Sequence, residues 1–297
     1  MHKSHITAKT KNMKKKIKYC MFTLSIIIVC LALFPPNITP TGISFAQEAE
    51  ENIQNKPMLA IVIDDFGSFD RSGVKTMLSV EAPLTCAIMP NLDNSLEDME
   101  NAVKSGKEVI LHMPMESHVS LPADWYGPVY IKNSDTPSEA TKKLEGCLNA
   151  VPEAKGFNIH IGSGVSQNKT LMRAIIGYAK EHGLFFLDSR THENTQCERA
   201  AQEEGLLYLG RDEFLEPNHN KTYAGVKEHL MNGINLAKQK GYAIVIGHVG
   251  AHGGENTANA VKDIIKIAES EEVELVYLSN LYETLKNKNI NVQTFKK

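Results

Sequence analysis

The amino-acid sequence predicts an α/β fold, an irregular (β/α) barrel built from repeated strand-helix units. Short apolar runs alternate with amphipathic stretches from Met58 onward, as is typical of buried, mainly parallel strands joined by helices. Three glycines stand between a helical pattern and the next apolar run, where a left-handed residue ends a helix: Gly183, Gly205 and Gly241. About eight such units in roughly 240 residues suit a barrel better than an open sheet.

Eight apolar runs are predicted strands, at residues 59–63, 84–89, 109–111, 157–161, 184–187, 206–209, 243–246 and 274–278. The clearest helices are predicted at residues 168–181 and 223–240, where apolar side chains recur on one face. Residues 121–138 interrupt the alternation with several prolines and with Trp125. We expect this segment to form a long surface loop near the functional site.

The first 46 residues have the layout of a signal peptide. A lysine-rich stretch at residues 11–18 precedes an apolar run from Cys20 to Phe34, and small residues precede a predicted cleavage after Ala46. The run is shorter than the roughly 20 residues that a membrane span needs, which favours cleavage over an uncleaved membrane anchor. The sequence therefore predicts an exported protein, periplasmic or extracellular, which contacts the membrane only through its leader if that leader is uncleaved.

The rest of the chain is predicted to be a flexible polar linker, residues 47–57, followed by one domain, residues 58–297. Without the seven lysines of the leader, 32 basic residues become 25, against 35 acidic ones, which gives a net charge of −10. This charge disfavours a nucleic-acid partner. Cys86, Cys147 and Cys197 are odd in number and widely spaced, so buried thiols are expected, although one pair can bridge in an oxidising compartment.

Polar side chains gather at the ends of the predicted strands, where wound α/β folds carry their catalytic groups. Asp64 and Asp65 follow the first run, and two adjacent carboxylates can divide the work of metal ligand and general base. A turn in which one aspartate caps the helix near Arg71 explains the pair equally well.

Histidines stand at the ends of the third and fourth runs, at His112 and His160. A neutral imidazole at such a place can ligate a metal, although a hydrogen-bonded core histidine is the more common interpretation of His112. The glycines around His160 permit close approach of a ligand; a plain glycine-rich turn explains those glycines but not the histidine.

Two later segments contribute Asp188, Arg190 and His248. Arg190 can hold a carboxylate through two hydrogen bonds, or it forms a local ion pair. His248 enters a glycine-rich loop as a proton donor to a leaving group would, and His252 beyond it is expected to be exposed. One carboxylate and two histidines at successive strand ends make a two-histidine, one-carboxylate metal site with positions open to water and a carbonyl oxygen.

Six strings in this order resemble the divergent polysaccharide deacetylases: Ile-Asp-Asp-Phe-Gly, His-Met-Pro-Met-Glu, Asn-Ile-His-Ile-Gly-Ser, Leu-Asp-Ser-Arg-Thr, Arg-Asp-Glu-Phe-Leu and Gly-His-Val-Gly-Ala-His-Gly-Gly. The resemblance covers residues 58–285 and implies an irregular (β/α) barrel with metal-dependent carbohydrate deacetylase ancestry. It further implies that Asp65, His112 and His160 hold a divalent metal, zinc being preferred. Asp64 is then the general base and His248 the general acid.

Two departures separate the chain from ordinary polysaccharide deacetylases. Those enzymes take both ligating histidines from one His-x-x-x-His motif, whereas Glu116 stands four residues after His112. The second histidine must then come from another strand, as His160. The arginine and proline of the third deacetylase motif are also absent in that form, and the string Asp188-Ser189-Arg190 is the nearest equivalent.

We therefore expect a hydrolase that removes acetyl groups from N-acetylated sugars in peptidoglycan or another envelope polysaccharide. Arg190 would keep Asp64 ionised, and Asp188 would orient His248 or bind the metal. The alternative is a catalytically silent envelope protein that binds glycan or regulates a cell-wall enzyme. Aromatic residues of the 121–138 loop can stack on sugar rings in either case, whereas Asp64 and His248 together favour catalysis.

Overall fold

The computed structural model describes residues 56–294, with side chains as far as residue 288. The predicted signal peptide and the linker up to residue 55 lie outside the described residues, so cleavage, export and the domain limits stay predictions. Within residues 56–294, no helix is both long enough and apolar enough to cross a membrane.

Nine strands occur in the described part of the chain: β1 (Met58–Phe66), β2 (Thr85–Ile88), β3 (Glu108–Met115), β4 (Gly156–Ile161), β5 (Phe185–Asp188), β6 (Leu209–Gly210), β7 (Glu213–Phe214), β8 (Tyr242–His248) and β9 (Glu274–Val276). Eight α-helices connect or flank them over the same residues: α1 (Val74–Leu78), α2 (Ser95–Lys104), α3 (Pro137–Ala150), α4 (Lys169–Glu181), α5 (Cys197–Glu204), α6 (Tyr223–Lys240), α7 (Gly254–Ser270) and α8 (Leu278–Thr294).

Local sequence explains where several helices begin and end. A capping box formed by Thr136 and Glu139 starts α3, and the side chains of Asn168 and Thr222 cap α4 and α6. The three glycines expected after helices all have left-handed backbones, with φ of 68°, 69° and 85° at Gly183, Gly205 and Gly241.

The strands form one parallel sheet that curls almost into a closed barrel. Its order is β6-β5-β4-β3-β2-β1-β8-β7, and β9 pairs with the first residues of β1. The two edge strands, β6 and β7, are separated in the chain by Arg211 and Asp212 alone, so the edges of the sheet must come close together. The predicted irregular (β/α) barrel is confirmed.

The core is the inside of this sheet together with the helix faces that cover it. β1 is buried along its whole length because β8 flanks one side and β2 and β9 share the other. The expected thiol burial is also confirmed, since Cys86, Cys147 and Cys197 are free and buried.

The structure corrects three of the predicted strands. Residues 206–208 are irregular, and only the last residue of the predicted run at 206–209 belongs to β6. Leu278 begins α8 instead of ending β9, and β7 has only two residues, too short to leave a periodic signal. β3 continues through Pro114 to Met115, so His112 lies inside a strand and not at its end.

The segment at 121–138 lies beside the strand ends, as expected, and is partly ordered by them. It contains a 3₁₀ turn at Ala123–Tyr126 and a bridge between Ile131 and Met115 of β3. The bridge fixes the segment against β3, so its 3₁₀ turn stays close to the residues that β3 and β4 present at the rim.

Candidate metal centre

A β-bulge in β1 brings two adjacent aspartates to the same place. Between Ile63 and Phe66 the pairing with β2 gains one residue, and Asp65 there has a left-handed backbone with φ of 70°. In a regular strand neighbouring side chains point to opposite faces. Here both carboxylates reach the same ring nitrogen, because Asp64 Oδ2 lies 3.7 Å and Asp65 Oδ1 3.4 Å from His112 Nε2.

Three donor atoms from three neighbouring segments converge at this point. Asp65 Oδ1 is 3.2 Å from His160 Nδ1, and His160 Nδ1 is 3.0 Å from His112 Nε2. Ligand atoms placed tetrahedrally about 2.0–2.1 Å from a zinc ion stand about 3.3 Å from one another. The cluster of Asp65, His112 and His160 therefore has the dimensions of a metal site.

The chemistry of the three groups also fits a divalent metal. Asp65 Oδ1 is buried, and among the described residues it has no hydrogen-bond partner. A buried carboxylate oxygen without a donor is costly, and a bound cation would supply the missing interaction. Two imidazoles and one carboxylate are a common ligand set for zinc and iron.

Each histidine is held by its other ring nitrogen, which fixes the tautomer. His112 Nδ1 lies 2.7 Å from Asn158 Oδ1, so Nδ1 donates and Nε2 keeps its lone pair toward the cluster. His160 Nε2 lies 3.0 Å from the carbonyl oxygen of Trp125, so the same argument leaves His160 Nδ1 free to bind. Asn158 also donates to Asp64 Oδ1 at 2.8 Å, which links the two sides of the site.

Electrostatics keep Asp65 ionised, as a carboxylate ligand of a metal must be. Burial raises the pKa of Asp65, but the close contacts with His112, His160 and His252 outweigh it and hold that pKa well below its usual range. Burial lowers the pKa of His112, while the nearby carboxylates of Asp64 and Asp65 raise it overall. Asp65 is therefore a carboxylate anion that faces two histidines, and this arrangement attracts a cation.

His248 is paired with a buried carboxylate that the sequence did not indicate. Glu216 accepts hydrogen bonds from the backbone and from Nδ1 of His248, both at 3.1 Å, and from Thr257 Oγ1 at 2.6 Å. Burial lowers the pKa of His248, but Glu216 and the charges of Asp65 and Asp64 raise it to about 9. His248 thus carries a proton at neutral pH.

His252 is half exposed, as expected, but it is not unconstrained. Its Nδ1 lies 3.1 Å from Asp65 Oδ2, so it holds the outer oxygen of the ligating carboxylate while Oδ1 faces the two histidines. His252 belongs to a 3₁₀ turn, Gly250–His252, directly after β8.

The structure gives Asp188 and Arg190 different contacts from those expected. Asp188 accepts hydrogen bonds from the backbone of Arg190 at 2.8 Å and from the hydroxyl of Tyr208 at 3.0 Å, and Glu216 takes the position beside His248. The guanidinium of Arg190 donates to the carbonyl oxygen of Arg211 at 2.8 Å instead of Asp64. Asp188 therefore does not contact His248, and Arg190 does not contact Asp64, although both contacts were expected. A role of Asp188 and Arg190 in catalysis stays a prediction.

The cluster opens into a cavity of about 510 Å³ that also contains Asp64, Arg190, Arg211 and His248. Backbone strain is concentrated there. Seven described residues other than glycine have positive φ, and five of them line this cavity: Asp65, Ile161, Arg190, Asn218 and His219. Such conformations cost about 1–3 kcal/mol each and cluster at functional sites, which supports this cavity as the candidate functional site.

Comparison with known proteins agrees with this fold. Residues 61–282 match the family described as divergent polysaccharide deacetylase. The uncharacterized protein YibQ of Escherichia coli strain K12 is 33% identical over 194 residues, which is 64% of this chain and 58% of YibQ. An uncharacterized protein of Haemophilus influenzae is 30% identical over 208 residues, 70% of this chain and 69% of that protein. The chain thus spans less than two thirds of YibQ.

A solved structure with a similar fold is that of the uncharacterized protein ATU2773 from Agrobacterium tumefaciens C58. Its TM-score is 0.67, with 18% identity over 77% of this chain and 94% of that one. At this identity the likeness concerns the fold alone. Because the family match covers most of the described domain, the chain belongs to the divergent polysaccharide deacetylase family.

Proposed function

We propose that the protein is an exported, metal-dependent carbohydrate deacetylase that removes acetyl groups from N-acetylated sugars of an envelope polysaccharide such as peptidoglycan. The observation that carries the proposal is the convergence of Asp65, His112 and His160, with Asp64 and His248 in the same cavity. This combination provides a metal site, a base and an acid within one pocket.

Asp65, His112 and His160 would hold a divalent metal, zinc being our first choice. When bound, such a metal polarises a carbonyl oxygen and lowers the pKa of water. The chain's own contribution is to keep three donor atoms in place through Asn158, the Trp125 carbonyl and His252. These supporting contacts determine how well the ligands are oriented.

Asp64 is positioned to take a proton from water. Its Oδ1 is fixed by the amide of Asn158, while Oδ2 faces the cluster 3.7 Å from His112 Nε2. One oxygen is thus anchored and the other is directed toward the reacting atoms, as general base catalysis requires.

His248 is positioned to give a proton to the departing amine. Its Nδ1 is bound to Glu216, which leaves Nε2 as the atom that can donate. With a pKa of about 9, the ring of His248 is protonated at neutral pH, as a general acid must be.

The 121–138 segment presents an exposed aromatic side chain beside the cluster. Trp125 is 53% exposed next to His160 and can stack on a sugar ring, whereas Tyr126 is buried and stacks on Tyr130.

The alternative, a silent glycan-binding or regulatory envelope protein, requires neither the base nor the acid. The two functions are separated by replacing Asp64 with asparagine, which removes the base and leaves all three proposed ligands. We expect Asp64→Asn to keep bound metal, measured by plasma mass spectrometry, and to lose at least about a hundredfold in acetate release from N-acetylated cell-wall glycans.

The matched control for this experiment is Asp70→Asn, an exposed aspartate outside the cavity. It should leave both metal content and acetate release unchanged. Equal turnover in wild type and Asp64→Asn would refute the assigned base, and metal-loaded protein that releases no acetate from any acetylated glycan would favour the silent alternative.

A further inference from the structure

The arginines of this chain fall into two groups. There are five, and all lie in the described residues: Arg71, Arg173, Arg190, Arg199 and Arg211. Three of them form ion pairs, Arg71 with Glu97 and Asp98, and Arg173 and Arg199 with carboxylates of α5. Within residues 56–288, Arg190 and Arg211 have no carboxylate at ion-pair distance, and both line the cavity of the metal centre.

These two arginines are held next to each other by backbone oxygens. Arg211 donates to the carbonyls of Ser189 at 2.7 Å and of Arg190 at 3.0 Å, and Arg190 donates to the carbonyl of Arg211 at 2.8 Å. Carbonyl oxygens orient a guanidinium without neutralising it. Burial and the charge of Arg190 hold the pKa of Arg211 below its ordinary value, whereas Tyr208 and the charges of Asp212 and Asp188 outweigh burial and raise the pKa of Arg190.

Two features of the backbone maintain this arrangement. Arg190 has a left-handed backbone with φ of 49°, a strained conformation for a residue with a side chain. Gly210 lies against its guanidinium, and a Cβ at that position would stand 2.8 Å from Arg190 Nε and Nη2. The side chain of Arg190 therefore packs on β6 in space that any side chain at position 210 would occupy.

The carboxylates of the cavity are already engaged with other groups. Asp64 is bound by Asn158, Asp65 faces the histidines, and Glu216 holds His248. The positive charge of Arg190 and Arg211 is thus left for a molecule that enters the cavity.

We propose that Arg190 and Arg211 bind a carboxylate of the glycan, so that the substrate is an acidic N-acetylated sugar. This inference rests on the proposed deacetylase function and specifies its substrate class. Guanidinium groups match the planar geometry of a carboxylate and bind it through paired hydrogen bonds. The carboxylate then anchors the sugar on one side of the cavity while its acetamide reaches the cluster of Asp65, His112 and His160.

The test is a binding titration of the purified full chain with three sugars. N-acetylmuramic acid carries a lactyl carboxylate, its methyl ester keeps the shape without the charge, and N-acetylglucosamine lacks the lactyl group. We expect the acid to bind about tenfold or more tightly than the ester, with a preference that shrinks as salt is added.

Two variants and one control test whether Arg190 and Arg211 cause the tighter binding of the acid. Arg190→Gln and Arg211→Gln should each lower the affinity for the acid about tenfold, toward that of the ester. Arg199→Gln removes the same charge from an exposed ion pair of α5 and should leave the affinity unchanged. Thermal melting confirms that each variant is folded before it is titrated.

The outcomes separate this inference from the proposed function. Equal affinity for acid and ester, no measurable binding of the acid, or an acid preference retained in both glutamine variants would overturn the inference. Equal acetate release from acidic and neutral glycans would also overturn it and leave the deacetylase standing. A carboxylate preference that depends on both arginines, without acetate release from any glycan, would support the arginine site and refute the enzyme.

Discussion

At the scale of single residues, the contact with Glu216 extends the pH range over which His248 stays protonated. The pKa of His248 is about 9 against an ordinary value of 6.5, so the folded protein keeps this proton below about pH 9 and loses it as pH rises further. The same sign applies to stability: the charged pair stabilises the fold fully below pH 6.5, and this contribution is lost as pH rises through 9.

Glu216→Gln should move the alkaline limb of acetate release to lower pH, toward the ordinary histidine value, because the amide removes a charge that stabilises the imidazolium. The measurement is kcat against pH for wild type and variant. The control is Glu213→Gln, which breaks a second glutamate-histidine contact, to His229, that does not involve His248. An unchanged limb in Glu216→Gln would show that Glu216 does not set the protonation of the acid.

The three residues of the cluster could be predicted from the sequence because the ends of parallel strands meet at one rim of the sheet. Asp65, His112 and His160 converge although 47 and 48 residues separate them in the chain. The supporting residues were not predictable, because Glu216 and Asn158 look like ordinary polar residues until the fold brings them against histidines. The extra residue of the bulge at Asp65 also leaves no signal in hydrophobic periodicity.

At the scale of elements, two helix glycines test how closely the helices pack on the sheet. Gly233 of α6 faces β8, and a Cβ there would stand 2.5 Å from Val245 Cγ1, whereas Gly146 of α3 is exposed and has open space. Gly233→Ala should destabilise the fold by up to about 2 kcal/mol, because an overpacking cost of about 1–3 kcal/mol is offset only in part by a gain of about 1 kcal/mol in helix propensity.

Gly146→Ala is the matched control and should stabilise the protein by about 0.5–1 kcal/mol, since it gains propensity without a clash. Denaturant unfolding of both variants measures the two free energies. The same sign of change in both would contradict the tight packing of α6 on β8.

Long elements were predicted well and short ones poorly. α4 and α6 begin and end within one residue of the predicted ranges, because capping side chains and terminal glycines mark their limits. β6 and β7 have two residues each, and their pairing depends on where the sheet edges meet and not on their own sequence. The local sequence pattern therefore does not predict how the two edges of the sheet come together.

At the scale of the whole molecule, a bound metal would join β1, β3 and β4 at the rim and should stabilise the entire domain. Zinc at a hundred times its dissociation constant adds about 2.7 kcal/mol, which raises Tm by roughly 5–10 °C in a domain of this size. His248→Ala should retain this shift and His112→Ala should lose it, because only His112 is a proposed ligand. The reverse pattern in thermal melts would exchange the two roles.

The proposed function depends on the binding of one divalent metal by Asp65, His112 and His160. Anomalous diffraction at the zinc edge, from crystals grown with zinc, tests this binding. We expect an anomalous peak about 2.0–2.2 Å from Asp65 Oδ1, His112 Nε2 and His160 Nδ1. A cluster without such a peak, while zinc occupies another site of the same crystal, would contradict it.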